Sequence, residues 1–247
     1  MSFRDHFSAQ ASVYAEARPG YPPELFAWLA AQCRGHALAW DAGCGNGQAS
    51  VALAEHFASV HASDPSAAQI ANAKPQEGIR YVVEAAEQCS LADASADLVT
   101  VAQAYHWFDQ AKFCTEARRV LVADGVIALV SYAESRVDAA VDVLFDELHN
   151  VRLGDDWPAG REHVINHYRD LPFPFAVIEA PPFEMRCQWN LQQYLAYLSS
   201  WSASQRYRQR TGGDAVAEIA PAMAAAWGDP ETVRTVQWPL LVLAGRR

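Results

Sequence analysis

The residues Trp40-Asp-Ala-Gly-Cys-Gly-Asn-Gly-Gln48 constrain this chain most: an acid and then glycines at 43, 45 and 47 directly follow the apolar run 37–40. A strand that must turn into a helix beside a bound nucleotide-type cofactor needs residues without a Cβ, so that backbone can approach the ligand. Gly43, Gly45 and Gly47 meet that need. A Gly-rich surface turn would share the glycines, but not their coincidence with a strand, an acid and a following helix.

The spacing discriminates between cofactors. A dinucleotide fingerprint places its third glycine one residue later, where Gln48 stands, because a pyrophosphate then sits on the helix N-terminus. Asp41 would repel a pyrophosphate, whereas it can face the cationic amino-acid part of S-adenosylmethionine. About twenty residues on, 59–64 reads as a second strand ending in Asp64, the place from which an acid accepts hydrogen bonds from ribose hydroxyls. An Asp before Pro65 also suits an ordinary turn.

Composition narrows the partners. Acids outnumber bases 29 to 19, a formal charge of −10, so the chain lacks the basic footprint that nucleic acid requires. Lys74 and Lys112 are its only lysines; the bias to Arg suits bidentate carboxylate recognition or reflects genomic base composition. Five cysteines without CxxC spacing suggest neither a disulfide framework nor a zinc site. With no signal-peptide-like start and no apolar run long enough to span a bilayer, the expectation is a cytoplasmic protein without membrane attachment. No feature specifies an oligomeric state.

Beyond the glycine loop the pattern alternates between helices (48–57, 110–122, 137–149) and strands (59–64, 79–83, 98–102, 126–132). Such alternation predicts an α/β, doubly wound, Rossmann-like sheet with the ligand at the carboxyl ends of its strands. From 150 to 182 periodicity is weak and the chain reads as irregular. Then come a strand at 183–189, helices at 191–207 and 215–227, and a strand at 233–243. The late strands suggest an antiparallel addition at the sheet edge, with helical cap elements over the site. One domain, 1–247, is expected: a lid and first helix (1–35), a donor-binding core (36–150), an acceptor-side part (151–231) and a final strand (232–247).

These residues resemble the class I S-adenosylmethionine-dependent methyltransferases, and among them the small-molecule branch related to yeast-type trans-aconitate methyltransferase. The likeness is carried by the segment from Tyr14 through Arg18-Pro19-Gly20-Tyr21-Pro22, by Asp41 to Gly47, Asp64, Ala85-Ala86-Glu87, the run 102–109, and the helix ending before Asp124-Gly125. The resemblance implies a seven-stranded sheet whose last strand is antiparallel, with the methyl donor across the strand tips. It places the donor's amino-acid end near Gly43, with Tyr14 and Arg18 reaching it from the N-terminal segment, itself read as a mobile lid. It also implies Asp64 on the ribose, Ala86 and Glu87 beside the adenine, and the backbone carbonyl of Gln103 toward the amino-acid end or the methyl. Gln88-Cys89-Ser90 departs from the usual acidic and Leu-Pro continuation.

Methyl transfer from a sulfonium depends on alignment. A carboxylate acceptor is already a nucleophile, whereas a hydroxyl needs a base. His106 is the candidate base or substrate hydrogen-bond donor, or else a packed residue orienting its loop. Tyr105, Trp107, Trp201 and Arg206 are candidates for a small-molecule acceptor pocket. Against them, Tyr194, Tyr197 and Trp201 have the spacing of a core stripe, and Tyr105 and Trp107 can equally pack. His163 and His167 lie four apart but lack a metalloprotease Glu, so no metal is expected. The function expected is methylation of a carboxylate or hydroxyl oxygen; the alternatives are C- or N-methylation, an NAD-type oxidoreductase, and a non-catalytic donor-binding module.

Overall fold

A computed structural model describes residues 20–132 and 134–247. Parallel strands β1 (Leu38–Ala42), β2 (Ser59–Asp64), β3 (Ile79–Val83), β4 (Ala96–Ala102) and β5 (Leu121–Tyr132) lie in the order 3-2-1-4-5. Strand β8 (Arg234–Arg246) pairs antiparallel with β5. Beyond it, β6 (Ala176–Ile178) pairs with 244–246 and β7 (Phe183–Trp189) with 234–240. Those two short strands share one edge position end to end, so the sheet has seven ranks and its final strand alone runs against the others. This is the Rossmann-like architecture expected, with β6 as an added strand inside the stretch read as irregular.

Side chains of β5 alternate between the two faces. Ile127 and Leu129 enter one core with Trp40, Val99, Val101, Phe113 and Ala117. Val126, Ala128 and Val130 enter the opposite core with Leu25, Leu29 and Leu53. Strands β1 and β4, buried on both faces, carry near-continuous apolar runs, whereas β3 at the sheet edge is half-exposed. Helices α1 (Pro23–Gln32) and α2 (Gln48–Leu53) serve the second core; α3 (Ala67–Ala71) follows β2, and α4 (Gln110–Val120) serves the first.

A third core lies over β7 and β8. There α5 (Ala139–Asp146), α7 (Leu191–Ser199), α8 (Ser202–Thr211) and α9 (Ala215–Trp227) bury Phe145, Tyr194, Trp201 and Trp227 against Met185, Val236 and Trp238. The expected helix 191–207 is two helices. Trp201 adopts an extended backbone at the break, where the Ser200 and Ser204 hydroxyls donate to the Tyr197 and Leu198 carbonyls beside the backbone N–H groups of Ser200 and Trp201. Three helix ends also differ from expectation: α2 stops at Leu53, α4 at Val120, and α5 gives way to a π-helical stretch, 147–152. The short helix α6 (Arg161–Ile165) packs on the turn 105–107 after β4.

Candidate active site

The strand order reverses between β1 and β4, where open α/β sheets form a ligand crevice. The glycine loop sits at that point. Gly43 has φ +70°, and a Cβ there would meet the Ala104 Cβ at 2.6 Å and Phe108 at 3.0 Å, so its missing side chain lets the loops after β1 and β4 touch. Gly45, φ +57°, meets nothing closer than Gln69 at 3.9 Å, and so presents an open backbone face. A Cβ on Gly47 would strike Tyr81 at 2.4 Å. Protein neighbours thus hold positions 43 and 47 to glycine, and Gly45 alone of the three has open space where a Cβ would stand.

Asp41, expected toward the donor, is fully buried. It accepts a hydrogen bond from Ser50 Oγ at 2.6 Å and lies 3.4 Å from Thr100 Oγ1. Burial pushes its carboxyl up to about 6 despite those two donors. Its position joins the loop to α2 and β4. Asp64, at the tip of β2, accepts from the Gly45 N–H at 2.9 Å and the Ser66 N–H at 2.8 Å, tying that tip to the glycine loop. The Gly43 and Cys44 N–H groups both donate to the Ser63 carbonyl.

Ala86 is buried, and Glu87 accepts from the Asp109 N–H at 2.8 Å, linking the loop after β3 to the start of α4. Gln103 has a left-handed backbone, φ 57°. Its N–H donates to Val130 O and its side-chain amide to Tyr132 O at 2.7 Å, so both ends of the residue are anchored to β5. Tyr14 and Arg18, with most of the expected lid, lie outside the described residues.

On the acceptor side, the structure redistributes the candidates. Tyr105 is a core residue: it is 1% exposed, donates to the Pro172 carbonyl and packs on Phe113 and Tyr168. Trp201 packs among Phe145, His149, Trp157 and Tyr197. Arg208 chelates Asp214 and Arg210 chelates Asp156, while Arg206 acts on Asp156 only through its field. Trp107 is exposed, its ring 4.7 Å from that of His106. His106 Nδ1 lies 3.1 Å from the Tyr168 hydroxyl. Burial, then the charges of Arg161 and His163, depress its pKa to about 4.

His163 bonds Asp170 at 2.6 Å, and His167 lies past the end of α6 with a left-handed backbone. Among the described residues no cluster of three His, Cys, Asp or Glu could hold a metal, and no helix is long and apolar enough to cross a membrane. Sequence reasoning missed His149, Trp157, Arg161 and Tyr168, which stand around His106 and Trp201; the concentration of aromatics between 150 and 182 was the only signal.

The donor set fits S-adenosylmethionine: an open glycine backbone, an acid beside it at the tip of β2, and a left-handed turn after β4, gathered at the strand-order reversal. Comparisons agree. A family profile described as a methyltransferase domain matches residues 40–129. A Dictyostelium discoideum protein named as a methyltransferase is 29% identical over 99% of this chain and 96% of its own length. A Mycobacterium tuberculosis protein, named an uncharacterized methyltransferase, is 36% identical over 50% of this chain and 51% of its own. A solved structure from Anaeromyxobacter dehalogenans, described as that of a type II methyltransferase, is 48% identical, with a TM-score of 0.89 over 93% of this chain and 97% of that one. The chain belongs to the class I S-adenosylmethionine-dependent methyltransferases.

Proposed function

We propose that the protein methylates an oxygen of a small-molecule acceptor, a carboxylate or hydroxyl, within the branch related to trans-aconitate methyltransferase. When bound, S-adenosylmethionine supplies a methyl group on sulfonium sulfur, which the acceptor oxygen displaces in line while the bonding pair stays on sulfur. The chain's task is alignment, which can be worth about 7–11 kcal/mol. In this reading Gly43 and Gly45 lie along the donor's amino-acid end, Asp64 accepts from the ribose hydroxyls, and Ala86 and Glu87 bound the adenine. Gln103, anchored at both ends to β5, holds its peptide carbonyl toward the reacting end.

His106 is the observation that carries the acceptor side. An imidazole depressed to about 4 is neutral at working pH but a weak base, far from the matched pKa that efficient proton abstraction needs. It therefore serves as a hydrogen-bonding wall of the pocket, and a carboxylate, which has no proton to lose, is the acceptor that suits it best. Incubation with methyl-labelled donor and pooled metabolites tests this reading: a methyl ester releases its label as methanol in alkali. Alkali-stable label would reassign the product to an ether, amine or carbon compound.

A further inference from the structure

The stretch around Gly160 and Arg161 brings a permanent cation up to the loop after β4. Gly160 takes φ +90°, and its missing Cβ leaves His106 Cδ2 at only 3.4 Å from that position. The next residue, Arg161, lays its guanidinium over the Trp157 ring, 4.6 Å from the centroid. Its Nη2 lies 3.1 Å from His149 Nε2. His149 Nδ1 is 2.8 Å from Asn150 Oδ1, so Nδ1 carries the proton and Nε2 accepts from Arg161. Trp157 is fixed in turn, since its indole N–H donates to the His149 carbonyl at 2.9 Å. This guanidinium is thus held in place by a buried imidazole and an indole face, a geometry that suits the planar fork of Arg better than the point charge of Lys.

Its field reaches three titratable groups at the expected acceptor side: it disfavours the cationic forms of His106 and His149 and favours the anionic form of Tyr168. A region so biased attracts anions and rejects cations. Arg206, the arginine expected in this role, lies in the field of Asp156, and its neighbours Arg208 and Arg210 are paired with Asp214 and Asp156.

We propose that Arg161 is the acceptor-selecting residue: it binds an anionic group, best a carboxylate, of the small molecule that is methylated, with His106 and the Tyr168 hydroxyl beside it. This rests on the small-molecule methyltransferase reading and replaces Arg206 in the role expected for it. Arg161 recognises the acceptor and takes no part in proton transfer. A guanidinium fork is suited to a carboxylate through two parallel hydrogen bonds.

The test divides a pooled metabolite extract by anion exchange and supplies each fraction with methyl-labelled donor. Wild-type protein should label the anionic fraction. Arg161→Gln should raise the KM for the anionic fraction at least tenfold with a smaller change in kcat, leave donor affinity in calorimetry unchanged, and recover in part with Arg161→Lys. Label entering the non-anionic fraction equally in wild type and Arg161→Gln would overturn the proposal, as would an unchanged KM for the anionic fraction. If donor binds but neither fraction is labelled, the small-molecule reading fails, and the role of Arg161 with it. Should Arg161→Gln fail to fold, Trp157→Phe, which keeps a ring under the guanidinium but drops the bond to His149, should raise the same KM less steeply; an unchanged KM there would count against the proposal.

Discussion

Replacing His106 with Asn removes a titration whose energy can be worked out. An imidazole of ordinary pKa 6.5 in the unfolded chain sits at about 4 in the fold. Between those values the unfolded chain binds more protons, so stability is full above pH 6.5 and is lost as pH falls. The gap corresponds to about 3 kcal/mol, of which about 2 kcal/mol is lost between pH 8 and pH 5. The groups that face His106 are the Tyr168 hydroxyl, Arg161 and His163. His149 is lowered too and adds the same sign, while Asp41, raised to about 6, stabilises the acid form and opposes it. Subtracting the variant's profile from that of wild type isolates His106. Unfolding free energies from urea titrations at pH 8 and pH 5 should therefore differ by about 2 kcal/mol more in wild type than in His106→Asn. Equal pH slopes in the two proteins would refute the reasoning. So would a kcat/KM that rises through pH 6.5 in wild type and not in the variant, since a base at about 4 leaves that range flat.

Three further outcomes follow from the donor loop and the cap. Asp64→Ala should weaken donor binding in calorimetry and, by freeing the Gly45 and Ser66 N–H groups, cost about 1–3 kcal/mol; donor affinity equal to wild type would leave Asp64 a turn residue only. Gly43→Ala meets both a left-handed backbone and Ala104 at 2.6 Å, so it should cost at least about 1–2 kcal/mol in conformation alone. Ala104→Gly should restore part of the melting temperature lost to that clash, and no recovery would reject it. Trp201→Ala should lower stability by about 3–5 kcal/mol, with the donor bound as in wild type; a variant of native stability with only KM altered would return Trp201 to the acceptor pocket.

The donor half of this protein was legible because its chemistry is local. A strand, an acid and alternate glycines within 40–48, and a second acid at 64, lie at the tips of parallel strands whose apolar runs mark them. The strand boundaries at 59–64 and 79–83 match the structure for the same reason. What could not be read was which way side chains turn once packed. The bond to Asp41 from Ser50, which helix α2 brings onto it from nine residues away, is one such case. The ion pairs of Arg208 and Arg210 in α8 were hidden likewise, because their partners Asp214 and Asp156 lie outside that helix. Tyr168 was invisible because its bond to His106 crosses 62 residues of chain, and Arg161 because its partners Trp157 and His149 flank a stretch without periodicity.

Backbone strain follows the same division. Gln103 and Tyr168 adopt left-handed conformations without being glycine, a state costing roughly 1–2 kcal/mol for an L residue, and no local pattern announces either. Each is held by long-range contacts: Tyr168 by burial of its ring and by His106, Gln103 by its two bonds to β5. Gln103→Gly isolates the balance. It removes the strain but also a side-chain bond worth about 1 kcal/mol, and adds glycine's own entropy cost of roughly 0.5–1 kcal/mol. Stability should therefore stay within about 1 kcal/mol of wild type. Donor affinity should nonetheless fall, because the peptide after β4 is then free to rotate. A loss of stability several-fold larger would mean that the amide bond to Tyr132 joins β4 to β5 as a structural clamp. Unchanged donor affinity would mean that the strained turn has no part in holding the reacting end.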